Sequence, residues 1–233
     1  MKKIEDIEEK LNKLIDSLSE NEEDIQELIN WREILTNYQL SEESLKKYWN
    51  YIYQYHRYIC RYQKLSEEFI DLYGIFINWP SLSRNQYLTE DMMKKYCDKL
   101  DWVEILTFQN LSEEFLTNFV IPRGFDVDWT LICNHQNLTE NFIKNNAKFV
   151  DWYEITISQT LSKEFMIRFA NKLHFANLII YQKNIDEDVI RAYSHEITKD
   201  NYEALAWQLS QYQNILGTKI TEVINDILIN KYK

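Results

Sequence analysis

Cysteines and histidines are the residues of this sequence whose chemistry could include metal binding or nucleophilic catalysis. The cysteines lie far apart in the chain, at Cys60, Cys97 and Cys133. An odd and widely spaced set predicts neither a disulfide framework nor a zinc site built on paired cysteines. The histidines form no i, i+4 pair and no cluster with metal-ligand spacing: His56, His135, His174 and His195. We therefore predict free thiols packed in helices and no metal site.

Catalytic motifs are also missing from the sequence. It contains no glycine-rich phosphate loop, no Gly-x-Ser-x-Gly elbow and no cysteine with an evident histidine partner. Carboxylate pairs such as Glu67/Glu68 and Glu113/Glu114 fall in predicted first helical turns, where the helix dipole explains them. We predict that the chain is not an enzyme, has no catalytic residue and holds no cofactor.

A tyrosine-rich basic segment from Lys46 to Lys64 contains five Lys/Arg and no acid, in a chain of net charge −11. Tyrosine and arginine dominate the hot spots of protein interfaces. The candidate partner-binding residues are Tyr48, Tyr51, Tyr55, Arg57, Tyr58, Arg61 and Tyr62. Two other interpretations stay open: the tyrosines only cover a wide groove at helical spacing, or they stack nucleobases while Arg57 and Arg61 reach phosphates.

Composition indicates which elements position these residues. The chain has 233 residues with three Gly and two Pro, so a sheet-rich fold would lack its turn residues and helices are favoured. No apolar run approaches the roughly 20 residues of a membrane span, and the charged first residues do not resemble a signal peptide. We predict a cytoplasmic protein without membrane contact. Its negative charge disfavours direct nucleic-acid binding, because such binding depends on cations that contact phosphates.

An internal repeat organises the sequence. An aromatic anchor is followed by an aliphatic residue three positions later, Gln seven later and Leu nine later. Clear copies start at Trp102, Trp129 and Trp152, and weaker copies at Trp31, His56, Trp79 and Phe175. Successive anchors lie 25, 23, 23, 27, 23 and 23 residues apart, a period typical of solenoids.

Each repeat carries two helix-start signals. An Asp or Asn before the anchor can cap the first helix, and three copies read as capping boxes: Asn30 with Glu33, Asp101 with Glu104 and Asp151 with Glu154. The second start is Leu-Ser/Thr-x-x-Phe-aliphatic, as in Leu65-Ser66-Glu67-Glu68-Phe69-Ile70, where Ser or Thr caps the helix. Before His56 the cap is replaced by Tyr55, which predicts that two helices fuse there into one.

The predicted fold is all-α, an α-solenoid of short two-helix repeats with helical caps at both ends. Two short helices cannot bury their apolar faces alone, so neighbouring repeats must stack. We assign residues 1–29 to an N-terminal cap, 30–190 to the repeats and 191–233 to a divergent C-terminal cap, as one continuous domain. The N-terminal cap includes an amphipathic helix over 3–17, and the C-terminal cap has helix starts at Thr198 and near Thr218 with a stop at Gly217.

Residues repeated in every unit are predicted to serve the fold. The tryptophans at the anchor position are expected in the core: Trp31, Trp79, Trp102, Trp129 and Trp152. A glutamine row is expected to bond to backbone at the inter-helix turns: Gln63, Gln86, Gln109, Gln136, Gln159 and Gln182. The stretched repeat contains Pro122-Arg123-Gly124-Phe125. We predict a loop there, with Arg123 and Phe125 as the loop candidates.

The repeat resembles one found in uncharacterised proteins of bacteriophages and giant viruses, a unit of about 23 residues with the pattern W-x-x-I-x-x-x-Q-x-L-S-E-x-F. The residues that carry the resemblance include Trp102-Ile105-Gln109-Leu111, and it covers roughly 30–190. It implies a viral origin and names no reaction or cofactor.

Three functional hypotheses follow from the sequence. The first is a non-enzymatic protein-binding repeat protein, a viral factor that binds and inhibits a host defence protein in the host cytoplasm. The second is an acidic mimic of nucleic acid that blocks a nuclease or another DNA- or RNA-binding protein. The third is a structural or virion scaffold.

Overall fold

A computed structural model of the chain describes residues 4–17, 25, 28–124, 128–183, 185–213 and 217–233. Within these ranges every regular element is a helix, which confirms the predicted all-α class. No helix in this part of the chain combines the length and the apolar character needed to cross a membrane.

Each repeat begins with a seven-residue helix that starts at its aromatic anchor. We call these the first helices: Trp31–Asn37, His56–Tyr62, Trp79–Asn85, Trp102–Phe108, Trp129–His135, Trp152–Ser158 and Phe175–Tyr181. The Asn or Asp before each tryptophan accepts backbone N–H groups of the first turn, as predicted. The two first helices without a tryptophan anchor have no such side-chain cap.

The predicted capping box at Asp101 forms only in part. The Asp101 carboxylate accepts the N–H of Glu104 at 3.2 Å. The N–H of Asp101, however, donates to the Ser83 hydroxyl at 3.0 Å. Glu104 instead lies 3.5 Å from the guanidinium of Arg84. In a complete capping box the Glu104 side chain would accept the Asp101 N–H, but Ser83 of the preceding repeat accepts it instead. The spacing of residues within one repeat cannot predict such a partner.

The second helix of most repeats has six or seven residues. The second helices are Glu42–Lys47, Glu67–Tyr73, Glu90–Lys95, Glu140–Asn145, Lys163–Arg168 and Glu187–Ala192. Each starts after a Ser, Thr or Asp whose side chain accepts the N–H three residues later, as predicted. Such a cap stabilises a helix by about 1 kcal/mol.

The stretched repeat lengthens its second helix instead of forming the predicted loop. A helical turn at Glu113–Phe115 continues into a π-helical segment, Leu116–Val120, and a last turn, Ile121–Arg123. Proline clashes with the carbonyl four residues earlier in a regular α-helix, and the π-helical segment lies directly before the turn that contains Pro122. The prediction is therefore wrong for Arg123, whose guanidinium lies 3.8 Å from the centre of the Phe119 ring. Phe125 lies outside the described residues.

The segment before His56 is not the single fused helix that its missing cap predicts. A short helix, Trp49–Ile52, leads into a 3₁₀ turn, Tyr53–Tyr55, and then into the first helix. Tyr48 and Tyr55 have ψ angles of 10° and 22°, which depart from the helical value of about −42°. Tyr48 at the first break and Ile52 directly before the 3₁₀ turn are both buried, so the bent segment contributes to the core.

The chain forms two compact units. The N-terminal unit comprises 1–111 and 115–126, and the C-terminal unit comprises 112–114 and 127–233. Within each unit, successive first helices pack on one another, and in the C-terminal unit the second helices Lys163–Arg168 and Glu187–Ala192 also pack together. This arrangement confirms the stacking of two-helix repeats. That all repeats form one continuous domain stays a prediction.

Helices also close each end of the chain. The predicted N-terminal helix is present as Ile4–Ser17, with Leu11 buried. The helix expected to start at Thr198 begins four residues later, as Tyr202–Tyr212, and packs against the first helix Phe175–Tyr181. Gly217 is the first residue of the last helix, Gly217–Lys231, so its predicted role as a helix stop is wrong. Asn201 is the N-cap residue of Tyr202–Tyr212, and its side chain accepts the Thr198 N–H.

The tryptophan anchors pack inside their own repeats, although less deeply than predicted. Trp31 is 1% exposed, whereas the other four anchors are half-buried. Trp79 lies against Tyr96 with ring centroids 5.4 Å apart, and Trp152 against Phe169 at 5.1 Å. The anchors therefore join the two helices of a repeat, and in four repeats the tryptophan stays partly exposed to solvent.

Candidate functional site

The glutamine row is a structural ladder. Within each unit, a ladder glutamine directly follows a first helix and bonds to the preceding repeat of that unit. The Gln86 amide donates to the carbonyls of Cys60 and Gln63 at 2.7 and 2.6 Å, and its oxygen accepts the Leu65 N–H at 3.2 Å. Gln63, Gln159 and Gln182 make the same three bonds. This pattern confirms the predicted backbone role.

The ladder continues past the residues where the sequence pattern ends. Gln213 donates to the carbonyls of Ile179 and Gln182 at 2.6 and 2.8 Å and accepts the N–H of Ile185. The helix Tyr202–Tyr212 before it therefore occupies the place of a further first helix. The segment predicted as a divergent C-terminal cap therefore retains the first helix and the ladder glutamine of the repeat.

The buried cysteines also serve the connection between repeats. All three cysteines are free, and Cys60 and Cys133 are buried. The Cys60 sulfur accepts the N–H of Asn78 and the Cys133 sulfur that of Asp151. Burial raises the pKa of each of these two thiols to about 11. A thiolate is the reactive form of cysteine, so neither residue is a candidate nucleophile.

The tyrosines of the basic segment mostly belong to the core. Tyr48 is 1% exposed and donates its hydroxyl to Asn12 at 2.6 Å, and desolvation raises its pKa to about 12. Tyr51 stacks on Trp31 with ring centroids 6.1 Å apart. Tyr55 and Tyr58 are half-buried against the same apolar cluster. These four rings therefore support the packing interpretation that the sequence left open.

The remaining candidates, Arg57, Arg61 and Tyr62, are exposed on the helix His56–Tyr62. The two arginines line one groove of about 490 Å³ together with Arg84 of the next first helix. The Arg61 guanidinium lies 5.1 Å from the centre of the Tyr62 ring, and that of Arg84 lies 3.9 Å from the centre of Phe108. Sequence reasoning missed Arg84, although it occupies the same position of its helix as Arg61.

Three positions of each first helix point outward, and within each unit they form what we call the outward face of that unit. Counted back from the ladder glutamine, they are the residues one, two and six positions earlier. In all seven helices that precede a ladder glutamine, these positions are exposed or half-buried. None of them holds Lys, Asp or Glu, although Asp and Glu number 37 in the chain. A surface without these three residue types is unusual in a chain with 27% charged residues.

Arginine and aromatic residues occupy much of the outward face instead. In the N-terminal unit they are Arg57, Arg61, Tyr62, Arg84 and Phe108. In the C-terminal unit they are Tyr153, Tyr181, Trp207 and Tyr212, exposed by 49%, 56%, 60% and 50%. These four residues could have been found from the sequence by their fixed distance from a ladder glutamine. For Trp207 and Tyr212, this requires that Gln213 be recognised as a ladder glutamine.

The second helices present a different, charged surface. Carboxylates of one repeat accept hydrogen bonds from the Ser or Thr cap of the next: Glu42 from Ser66, Glu113 from Thr139 and Glu140 from Ser162. Lysines bridge other acids, as Lys95 does between Glu67 and Asp71, both at 2.7 Å. These carboxylates hold neighbouring repeats together, which weakens the hypothesis of an acidic row that imitates phosphates.

Among the described residues, no group of three or more His, Cys, Asp or Glu side chains is arranged to hold a metal ion. The sequence matches no protein-family model, and no curated protein and no solved structure is detectably similar to it. Functional inference for this chain therefore depends on the geometry and composition of its surfaces.

Proposed function

We propose that the chain is a non-enzymatic protein-binding repeat protein whose partner docks on the outward face of the first helices. The observation that carries this proposal is the composition of that face. In the two units together, none of its 21 positions holds Lys, Asp or Glu, and nine hold Arg, Tyr, Phe or Trp. Protein interfaces show the same bias, with charged residues other than arginine depleted and aromatic residues enriched.

Hot spots of binding concentrate in exposed residues that a partner can desolvate. Trp, Tyr and Arg are the types most often found there, with losses of 2 kcal/mol or more on truncation to alanine. Trp207 is 60% exposed and Tyr181 56%, so both can lose considerable solvent-accessible area to a partner. The tyrosines Tyr51, Tyr55 and Tyr58 are unsuitable for this role, because their rings already pack against the core.

We further propose that the partner is a host protein, in line with the resemblance of the repeat to viral proteins. Inhibition of a defence protein by occupation of its surface needs no catalytic group. The three free thiols fit a reducing compartment, since disulfides form and persist in oxidising ones. We therefore place the interaction in the cytoplasm, the host cytoplasm if the chain is viral.

Affinity capture with paired surface variants tests the proposal. The tagged chain is incubated with lysate of the cells that express it, and retained proteins are identified by mass spectrometry. A Tyr181→Ser/Trp207→Ser variant and an Arg61→Ser/Arg84→Ser variant change the outward face in each unit. A Lys94→Ser/Lys144→Ser variant is the control on the second helices.

We expect one protein to be retained by the wild-type chain and the control, and to bind at least about 30-fold more weakly to one outward-face variant, as loss of a hot spot predicts. Circular dichroism must show unchanged helicity in all variants. Equal retention by every variant would place the binding surface elsewhere. Self-association of the purified chain without any captured protein would favour the scaffold hypothesis instead.

A further inference from the structure

The groove lined by Arg57, Arg61 and Arg84 has a chemistry of its own within the outward face. We propose that it binds an acidic segment of the partner protein through the carboxylates of Asp or Glu side chains. This inference rests on the proposed function and specifies which chemical class of partner the N-terminal unit recognises.

Positive charge is concentrated on this side of the N-terminal unit. Four of the seven arginines of the chain lie on three consecutive first helices: Arg32, Arg57, Arg61 and Arg84. The same three helices contain a single acid, Glu33, in a chain of net charge −11. The location is therefore a local inversion of the overall charge.

Two of the groove arginines lack a counter-ion within the described part of the chain. Among the described residues, Arg57 and Arg61 form no ion pair, and both side chains are exposed. Arg84 is only partly neutralised, because its guanidinium lies 3.5 Å from the carboxylate of Glu104. Guanidinium groups pair with carboxylates in planar, bidentate geometry, so an incoming carboxylate supplies the counter-ion that the groove lacks.

The spacing of the arginines fits an extended peptide. Arg57 and Arg61 lie one helical turn apart, with Cβ atoms about 5–6 Å from each other. Alternate residues of an extended strand are about 6.6 Å apart on the same side. Arg61 and Arg84 occupy equivalent positions on packed helices, whose axes lie about 8–10 Å apart. Two acidic residues two positions apart in an extended segment can therefore face Arg57 and Arg61. Two acidic residues three positions apart can face Arg61 and Arg84.

Nucleic acid fits the groove less well than peptide. Non-specific binding of single strands combines a basic track with aromatic faces on which bases stack. The tyrosines beside the groove do not offer such faces: Tyr58 is half-buried with Arg32 5.1 Å from its ring centre, and Arg61 lies over Tyr62 at the same distance. Glu104 also lines the groove, and its carboxylate would repel a continuous row of phosphates.

Fluorescence anisotropy of labelled probes with the purified full chain tests this inference. The first probe is a fluorescein-labelled peptide in which Glu alternates with Ser. The second is the same peptide with Gln in place of Glu, and the third is an oligothymidylate of the same charge as the first. The groove variant carries Arg57→Gln, Arg61→Gln and Arg84→Gln. The control variant carries Lys144→Gln, Lys148→Gln and Arg168→Gln, which removes the same charge from exposed positions of the C-terminal unit.

We expect the glutamate peptide to bind the wild-type and control chains, and to bind the groove variant at least about tenfold more weakly, since three exposed charge pairs are lost. The glutamine peptide should bind none of them. Glu104→Gln should strengthen glutamate-peptide binding severalfold, because it removes the carboxylate that competes for Arg84. A purely structural role of these arginines would not produce such a gain.

The result also separates this inference from the proposed function. Equal binding of the glutamate peptide to the groove and control variants would overturn the inference. Tighter, groove-dependent binding of oligothymidylate would overturn it in favour of nucleic acid. If neither probe binds while the captured protein still depends on the outward face, the inference fails and the proposed function stands. If no protein depends on that face, the proposed function fails as well.

Discussion

Replacement of Gln159 by leucine should destabilise the protein strongly, although leucine has nearly the same size. The Gln159 amide donates to the carbonyls of Cys133 and Gln136 at 2.7 and 2.8 Å, and its oxygen accepts the Leu138 N–H at 3.0 Å. The side chain is only 8% exposed. Leucine would leave three buried backbone groups without a partner, and water could reach them only by disturbing the packing of two repeats.

The size of the effect follows from the number of orphaned groups. Each buried polar group that loses its partner costs about 1–3 kcal/mol. Three such groups cost at least about 3 kcal/mol, and the added apolar surface of leucine recovers about 1 kcal/mol. We therefore expect the free energy of unfolding to fall by at least about 2 kcal/mol, a large share of the 5–15 kcal/mol typical of natural domains.

Urea unfolding of the full chain, followed in parallel by circular dichroism and tryptophan fluorescence, measures this difference. Gln211→Leu is the matched control, because it makes the same chemical change at an exposed position of the helix Tyr202–Tyr212. Its free energy of unfolding should stay within about 0.5 kcal/mol of wild type. If Gln159→Leu also changes stability by less than about 1 kcal/mol, the ladder bonds do not stabilise the stack as argued.

Two further predictions concern titratable groups. Hydrogen bonding from Lys95 lowers the pKa of Asp71 below its ordinary value, so the stabilisation from this pair is present above the ordinary pKa and is lost as pH falls through the lowered one. Lys95→Met should return the pKa of Asp71 towards about 4, as measured by carboxyl NMR titration; an unchanged pKa would refute this cause. Iodoacetamide at mildly alkaline pH should modify Cys97 in the folded chain and spare Cys60 and Cys133, because the latter two are buried. Mass spectrometry of the labelled peptides checks this, and equal labelling of all three before unfolding would contradict it.

Local signals predicted the helices well, because capping and helical periodicity act over a few residues. Ser66 and Asp101 mark helix starts in the sequence and cap those helices in the structure. Bonds between repeats were harder to foresee, since they join residues 18 or more positions apart. Gln213 escaped notice for this reason: 31 residues separate it from Gln182, a longer interval than the repeat spacing.

The candidate site was predicted only in part. Helical periodicity shows that Tyr48, Tyr51, Tyr55, Tyr58 and Tyr62 share a side of their segment, but it does not show whether another element covers that side. The N-terminal helix and Trp31 cover the first two of these tyrosines. Exposure of a residue depends on neighbouring repeats, and a single repeat read from the sequence does not contain them.

The ladder glutamines give the stack a direction. Within each unit, a ladder glutamine bonds back to two carbonyls of the preceding repeat. Those two carbonyls therefore lack their glutamine partner until the following repeat has been made. A ribosome delivers the repeats in that same order, from the N-terminus onward. Within each unit, the growing chain can therefore fold repeat by repeat, each new repeat packing on one that has already folded. Every ladder bond can form as soon as the next repeat has been synthesised.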